Sequence, residues 1–369
     1  MKLRKILALI LCIAMAAAFA ASCDKTETIG NGDKTAAGNG TGIDFDAAYA
    51  AYKPDDVMIT AGDSEVTWDL LYYFLAASVD EVINMSGSGT FPGWSDEEGL
   101  SYKEQVTTRA LDGVLTYKTI EYGATLTGVS LTDDDLASIA FDRERAEEQY
   151  GGAEAFETEL KAHRMSGEVY AYLSGISYLY DNAFAAVYGE GASKISDAEV
   201  AAANADADWL MAKHILFLTG TEDDDAVLAK AEEVLAQINS LDVSDFGAYF
   251  DDLIKEFGED PGMVTNPNGY LFTAGDMVPE FEDATRALDF GGVSGLVQTS
   301  YGYHIIYRIP VDYDAVPSSW QQQGYTYSVR QDFASMQFQT DIEAWRQEME
   351  NDTVYSDLYN KLDITKIFK

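Results

Sequence analysis

The spacing of apolar residues changes twice along this 369-residue chain, and these changes restrict the folds available to it. From Thr67, which is expected to cap a helix, to about Asn204, apolar side chains recur mostly at helical spacing, and capping-box patterns begin helices at Thr132 and Ser196. Residues 206–310 instead alternate strand patterns with helices, and residues 327–369 are helical again. We therefore expect an α+β fold, in which a helical module is split around an inserted unit with a small antiparallel sheet covered by helices.

The inserted unit and the segments around it can be assigned in order. The predicted elements of the insertion are a strand at Trp209–Phe217, helices at Ala226–Asn239 and Ser244–Phe257, an irregular stretch at 258–269, a helix at Phe281–Leu288 and a strand at Gly302–Tyr307. Towards the C-terminus, Phe338, Ile342, Trp345 and Met349 form one apolar helical stripe, which we expect to pack on the N-terminal helices. The predicted boundaries are a signal segment at 1–22, a tether at 23–46, a helical N-terminal domain at 47–205, the inserted domain at 206–310 and a C-terminal helical segment at 311–369.

The first 23 residues have the pattern of a secretory signal that ends at a cysteine. A basic start precedes an apolar run at Ile6–Ala21, which is short for a membrane-spanning helix. The following Ala20-Ala21-Ser22-Cys23 resembles the bacterial lipobox, which implies diacylation of Cys23 and a lipid-anchored chain on the extracytoplasmic face of the cell membrane. Because Cys12 lies in the removable segment, no intramolecular disulfide is expected. An ordinary signal peptide followed by a chance cysteine is the alternative.

The charge of the chain limits its partners. The sequence contains 63 acidic and 24 basic residues, and its formal net charge of −39 becomes −42 if Lys2, Arg4 and Lys5 leave with the signal segment. A surface this acidic repels phosphate backbones, so we do not expect nucleic-acid binding.

Two of the three histidines lie inside strand patterns. In Lys213-His214-Ile215 and Tyr303-His304-Ile305 the imidazole alternates with large neighbours, so it points to the opposite face of its strand. If both strands belong to one sheet, His214 and His304 can meet; two unrelated strand histidines are the alternative. His163 lies between basic residues on a helix and is expected at the surface.

Three motifs in the insertion resemble the parvulin-type peptidyl-prolyl isomerases. They are Ala212-Lys213-His214-Ile215-Leu216-Phe217, Gly275-Asp276-Met277-Val278-Pro279-Glu280-Phe281-Glu282-Asp283-Ala284 and Gly292-Val293-Ser294-Gly295-Leu296-Val297-Gln298-Thr299-Ser300-Tyr301-Gly302-Tyr303-His304-Ile305-Ile306. The layout of the whole chain is similar to that of the PrsA-like foldase lipoproteins and SurA-like chaperones, although outside the insertion the resemblance rests on layout alone.

The resemblance implies a catalytic group of His214, Asp260 and His304 beside a proline pocket formed by Met277 and Phe281. Leu271 is a further candidate wall, because residues 266–272 depart from the glycine-rich element usual in the family. The residues alone leave other interpretations open: a plain turn at Asp260, core packing for Met277 and Phe281, or a metal site formed by the histidines and Asp260. The resemblance implies neither a cofactor nor a metal.

The implied activity is cis–trans isomerisation of X-Pro bonds in exported, unfolded proteins. Acidic residues after the first histidine strand, at Thr219–Asp225, argue against a phosphorylated substrate. The main alternative is a non-catalytic holdase that uses the insertion as a binding platform. A hydrolase is a weaker alternative, because residues 206–310 contain no Gly-x-Ser-x-Gly pattern. The oligomeric state stays open, with a homodimer among the alternatives.

Overall fold

The computed structural model describes residues 41–94, 102–220, 223–240 and 246–369. The predicted signal segment, Cys23 and most of the predicted tether lie outside these residues. The chain divides into two compact units, of which one extends to Val187 and resumes at Phe338–Lys369, whereas the other comprises Tyr188–Gln337.

The first unit begins with a small hairpin and a series of helices. Its elements are α1 (Phe45–Tyr49), β1 (Val57–Ala61), β2 (Ser64–Thr67), α2 (Trp68–Met85), α3 (Tyr102–Thr127), α4 (Asp133–Tyr150), α5 (Ala153–Ala162) and α6 (Gly167–Tyr188). The capping box predicted at Thr132 is confirmed, because its hydroxyl accepts from the Asp135 N–H while the Asp135 carboxylate accepts from the Thr132 N–H. Thr67 occupies the N-cap position of α2, but its side chain makes no capping hydrogen bond, so the predicted cap is wrong in that respect.

The second unit contains the mixed structure. Its elements are α7 (Asp197–Ala203), β3 (Leu210–Leu218), α8 (Asp224–Asn239), α9 (Phe246–Phe257), α10 (Pro261–Thr265), β4 (Tyr270–Phe272), α11 (Pro279–Ala287), β5 (Val297–Gln298), β6 (Gly302–Arg308) and α12 (Ser318–Gln322). The strands form one antiparallel sheet in the order β4-β3-β6-β5. The predicted α+β class, with an antiparallel sheet inserted between helical segments, is confirmed.

This unit extends beyond both ends of the predicted insertion, and Arg330 shows why. Its buried guanidinium donates to the Ile195 carbonyl oxygen and forms ion pairs with Asp197 and Asp314. One side chain therefore ties the segment before residue 206 to the segment after residue 310.

The sheet has two differently covered faces. On one face, Ile215, Phe217 and Ile305 pack under α8 and α9 in an apolar core. On the other face, Leu210, Ala212, Phe272 and Ile306 pack with Phe281 of α11 in a second cluster. Because side chains alternate along a strand, the second face also carries residues 214 and 304.

The chain then returns to the first unit through α13 (Val329–Asn351), β7 (Val354–Tyr355), α14 (Asp357–Lys361) and α15 (Ile364–Ile367). Phe338 is buried, with its ring centroid 5.0 Å from Tyr180 and 5.4 Å from Phe184. The Trp345 ring lies so close to Gly123 that a Cβ atom there would clash with it. β7 pairs with β1, which completes a three-stranded sheet in the order β2-β1-β7 that the sequence patterns did not predict. Among the described residues, no helix is both long and apolar enough to span a bilayer.

Candidate active site

The imidazoles of His214 and His304 meet on the face of the sheet covered by α11. Strands β3 and β6 pair with His214 opposite Ile306 and Leu216 opposite His304, so the two histidines lie diagonally across the pair. Their Nδ1 atoms are 2.9 Å apart, and their rings lie nearly parallel with centroids separated by 5.1 Å. Both residues are only 4% exposed, so this contact is shielded from water.

Asp260 holds the other side of His214. It caps the N-terminus of α10, where its Oδ1 accepts from the Gly262 N–H at 2.9 Å. Its Oδ2 lies 2.8 Å from His214 Nε2 and accepts from the Tyr270 hydroxyl at 2.7 Å. The residue is therefore both a helix cap and a partner of the histidine pair, so it is more than the plain turn that the sequence left open.

The partners of each atom fix the proton positions when both imidazoles are neutral. An ionised Asp260 can only accept, so His214 Nε2 carries a proton and His214 Nδ1 accepts from His304 Nδ1. His304 Nε2 must then accept from the Thr299 hydroxyl, which is 2.8 Å away. The Thr299 oxygen in turn accepts from the Tyr301 N–H at 3.1 Å. The result is one continuous chain in which every hydrogen bond donates towards Asp260.

The electrostatic environment supports these charge states. Burial would raise the pKa of Asp260, but hydrogen bonds from His214, Tyr270 and Gly262 outweigh it and lower this pKa to about 2. Burial, together with the neighbouring His214, lowers the pKa of His304 to about 4. Burial and then the hydrogen bond to Asp260 raise the pKa of the Tyr270 phenol well above its ordinary value. At neutral pH the site therefore contains an anionic Asp260, a neutral His304 and a neutral Tyr270.

An aromatic wall stands against the histidine pair. The Phe281 ring meets both imidazoles nearly edge-on, with centroids 5.2 Å from His214 and 5.6 Å from His304. Met277 is half-buried and packs against the same cluster as Phe281. The buried Glu282 carboxylate fixes the loop before α11 by accepting from the N–H groups of Gly275 and Met277, each at 2.8 Å.

The prediction for Leu271 is wrong. Leu271 pairs with Met211, whereas its neighbours Tyr270 and Phe272 pair with Ala212 and Leu210. Since side chains alternate, Leu271 points to the face of the sheet opposite the histidines, and Tyr270 points to the site instead. No sequence pattern reveals the three-residue strand β4, so the sequence alone does not show to which face of the sheet Leu271 points.

Sequence reasoning did not identify Tyr270 and Thr299 as parts of the site. No sequence motif marks Tyr270 as a site residue, and its place in the site follows only from its position in β4. Thr299 could have been found, because it lies five residues before His304 at the start of the turn between β5 and β6. Among the described residues, no group of three or more His, Cys, Asp or Glu side chains is arranged to hold a metal ion.

Comparisons with known proteins agree with this geometry. Residues 214–309 match the family model of the PPIC-type PPIASE domain, or rotamase. Foldase protein PrsA of Geobacillus kaustophilus is 43% identical over 82 residues, which are 22% of this chain and 28% of that protein. Chaperone SurA of Chromohalobacter salexigens is 30% identical over 139 residues, which are 37% of this chain and 30% of that protein. The similarity therefore spans less than a third of the length of either relative.

Two solved structures illustrate the range of structural matches. The crystal structure of PrsA from Bacillus subtilis is 18% identical, with 81% of this chain and 93% of that chain covered and a TM-score of 0.26. The solution structure of NmPin, the parvulin of Nitrosopumilus maritimus, is 29% identical, with 28% of this chain and 96% of that chain covered and a TM-score of 0.22. The family match and the two curated relatives show that residues 214–309 of this chain are similar to the PPIC-type peptidyl-prolyl isomerase domain, and that the chain resembles part of the PrsA foldases and SurA chaperones.

Proposed function

We propose that this protein is a foldase that catalyses cis–trans isomerisation of X-Pro bonds in unfolded, exported polypeptides. The observation that carries the proposal is the 2.9 Å contact between His214 and His304 beside the Phe281 ring. The match of residues 214–309 to an isomerase family supports it further.

The arrangement suits a reaction in which no bond between heavy atoms breaks. Rotation about the X-Pro bond must overcome a barrier of roughly 18–20 kcal/mol, because C–N conjugation is lost in the twisted amide. The half-buried Met277, backed by the buried Phe281 ring, is the proposed apolar contact for the proline ring, and a shielded site disfavours the more polar planar amide. Each reduction of the barrier by about 1.4 kcal/mol accelerates exchange tenfold.

In this proposal the hydrogen-bonded chain serves to fix the shape and charge of the site. His214, His304 and Asp260 are each held by partners on both sides, so none is free to rotate away from the others. A substrate amide then meets a preorganised surface, and little reorganisation is needed as the amide twists.

We further propose that the protein works at the extracytoplasmic face of the bacterial cell membrane, anchored through a diacylated Cys23. The signal-like run before Cys23 supports this location, and the polar stretch after it would hold the folded units away from the lipid. Loss of palmitate labelling in Cys23→Ser would support the anchor, whereas unchanged labelling would contradict it.

Substrates are proposed to be unphosphorylated. The segment after β3 presents Asp223, Asp224 and Asp225, with Asp224 accepting from the Gly220 N–H and Asp223 from the Asp225 N–H. The nearby Lys230 lies 3.6 Å from Glu259, so its charge is already opposed. A phosphate placed here would therefore meet net negative charge.

A proline-limited refolding assay tests the activity. We expect the wild-type chain to accelerate the slow refolding phase and His214→Ala/His304→Ala to lose most of this acceleration. His163→Ala is the matched control, because His163 is exposed on the helical unit. No acceleration by the wild-type chain would refute isomerase activity.

A non-catalytic holdase is the second candidate, and helix α4 favours it. This helix has no buried residue, and its Leu136 and Phe141 are 51% and 61% exposed. Exposed apolar side chains of this kind can bind unfolded chains without catalysis. Suppression of client aggregation that is unchanged in the double histidine variant, with no effect on refolding rate, would favour this function.

A further inference from the structure

Helix α11 contacts both parts of the proposed substrate site. Its Phe281 ring meets the two imidazoles of the histidine pair, with centroids 5.2 Å and 5.6 Å away. The next residue, Glu282, binds two N–H groups of the loop that precedes the helix. This loop carries Met277, the apolar side chain that we assign to the proline ring. One helix therefore connects the histidine pair to the surface that a substrate would touch.

Met277 is the member of this group that a substrate can reach. Phe281 is only 3% exposed and both histidines are buried, so a substrate can reach little of these rings. Met277, in contrast, is half-buried and packs on the same apolar cluster as Phe281. A change in the position of the loop would therefore change the apolar surface offered to a proline ring, while the buried rings stay in place.

Two carboxylates fix this loop. The Asp276 Oδ2 atom accepts from the Thr273 N–H at 2.8 Å and from the Thr273 hydroxyl at 3.1 Å, which closes the first turn of the loop. The Glu282 Oε1 atom accepts from the N–H groups of Gly275 and Met277, each at 2.8 Å. Glu282 is thus the carboxylate that bonds directly to the backbone of Met277.

The loop and the Glu282 carboxylate hold each other. The loop has an uncommon backbone conformation, because Gly275 has a φ of +92°, in the left-handed region that favours glycine. Glu282 is buried, and the two loop N–H groups supply the donors that its carboxylate needs there. If the loop moved away, a buried acceptor would be left without a partner, which costs free energy. The contact therefore favours one position of Met277.

We propose that Glu282 is a positioning residue of the isomerase site, and that it sets substrate affinity by holding Met277 in place. It acts from the same helix that presses Phe281 against the histidine pair, and it does not touch the reacting amide. Because Met277 contacts the proline ring in the planar and in the twisted amide alike, this effect falls on KM and leaves kcat nearly unchanged. The inference rests on the proposed function, since the affinity concerned is that for an X-Pro peptide.

Kinetics and amide spectra of Glu282 variants of the full chain test this role. The probe is the uncharged peptide acetyl-Ala-Ala-Pro-Ala amide. Glu282→Leu removes the acceptor for both loop N–H groups, whereas Glu282→Gln keeps a side-chain oxygen that can accept from them. Glu280→Leu is the matched control, because Glu280 is an exposed carboxylate in the first turn of the same helix.

We expect Glu282→Leu to raise KM roughly three- to tenfold, as the loss of these hydrogen bonds would allow, and to change kcat by less than about twofold. In ¹⁵N spectra of the folded variant, the amide signals of Gly275 and Met277 should move upfield, while the imidazole signals of His304 stay as in the wild type. Glu282→Gln should bring KM back towards the wild-type value, and Glu280→Leu should match the wild type.

An unchanged KM in Glu282→Leu, with both amide signals moved, would overturn the proposal. A fall in kcat at constant KM would overturn it as well, because Glu282 would then act on the histidine chain. If Glu282→Leu does not fold, Gly275→Ala takes its place, since a Cβ atom there meets nothing within 4 Å and only the left-handed backbone is strained. Its KM should also rise, and an unchanged KM would again overturn the proposal.

The proposed function fails by a different result. A wild-type chain that binds the peptide without isomerising it would refute isomerase activity. The dissociation constant of the peptide would then replace KM in the same comparison of variants, with the same increase expected in Glu282→Leu.

Discussion

His304 should remain neutral at pH values at which an ordinary histidine is charged. Its imidazole is buried, Nδ1 faces His214 and Nε2 faces the Thr299 hydroxyl, so a protonated ring would place a positive charge in a shielded site with no carboxylate bonded to it. Burial and the neighbouring His214 accordingly lower the pKa of His304 to about 4, from 6.5 in an unfolded chain.

The difference between the pKa of His304 in the folded and in the unfolded chain determines how the stability of the protein changes with pH. Between pH 6.5 and about 4 the unfolded chain binds a proton that the folded chain does not, so stability decreases as the pH falls through this range. At 1.36 kcal/mol per pH unit the loss is at most about 3 kcal/mol, and it ends below about pH 4, where both states are protonated. Asp260 affects stability over a separate pH range. Its stabilising contribution is lost only as the pH falls from about 3.8 towards about 2.

Nuclear magnetic resonance can follow this titration, because the sequence has only three histidines. We expect the imidazole signals of His304 to stay in the neutral form at pH 5. Urea unfolding at pH 7, 5 and 4 can be followed through the Trp209 indole signal. The free energy of unfolding of the wild-type chain should fall with pH, and that of His304→Gln should fall much less. His163→Gln, at an exposed position, should behave as the wild type. A His304 midpoint near 6.5 would refute this account of the site.

Three further changes probe the same site. Tyr270→Phe removes the hydroxyl that donates to Asp260, so it should destabilise the unit by about 1.5–3 kcal/mol in urea unfolding and raise the pKa of Asp260. Phe281→Leu keeps an apolar wall but loses the edge-on contacts with two imidazoles, so kcat/KM should fall severalfold, whereas Leu271→Val, on the opposite face, should leave it nearly unchanged. A phospho-Ser-Pro peptide should be isomerised no faster than its unphosphorylated counterpart; faster turnover would contradict the assigned role of the acidic segment at 223–225.

The features that sequence analysis predicted well are those set by local chemistry or by strand alternation. The capping boxes at Thr132 and Ser196 depend on residues three apart and are present. The meeting of His214 and His304 follows from alternation in two long strands once both belong to one sheet. Leu271 was misplaced because β4 has only three residues, which is too few for alternation to be detected.

Other features depend on contacts between distant parts of the chain. β7 has two residues and pairs with a strand almost three hundred positions earlier, so no local pattern could reveal it. Arg330 carries no sign in the sequence that it bonds to residues 195 and 197, and the predicted ends of the insertion therefore missed this connection. Thr67 shows that a favourable residue type does not guarantee the predicted contact. It occupies the N-cap position of α2, but its side chain makes no capping hydrogen bond.

The pairing of β7 with β1 affects the order in which the two units can be completed during synthesis. Residues 188–337 are continuous, so this unit has all of its contacts available once residue 337 has emerged. The helical unit needs Phe338 between Tyr180 and Phe184, and it needs Val354 beside Thr60 to finish its sheet. In a chain that emerges N-terminus first, the unit of residues 188–337 can thus reach its native state while the other unit still lacks β7 and its C-terminal helices.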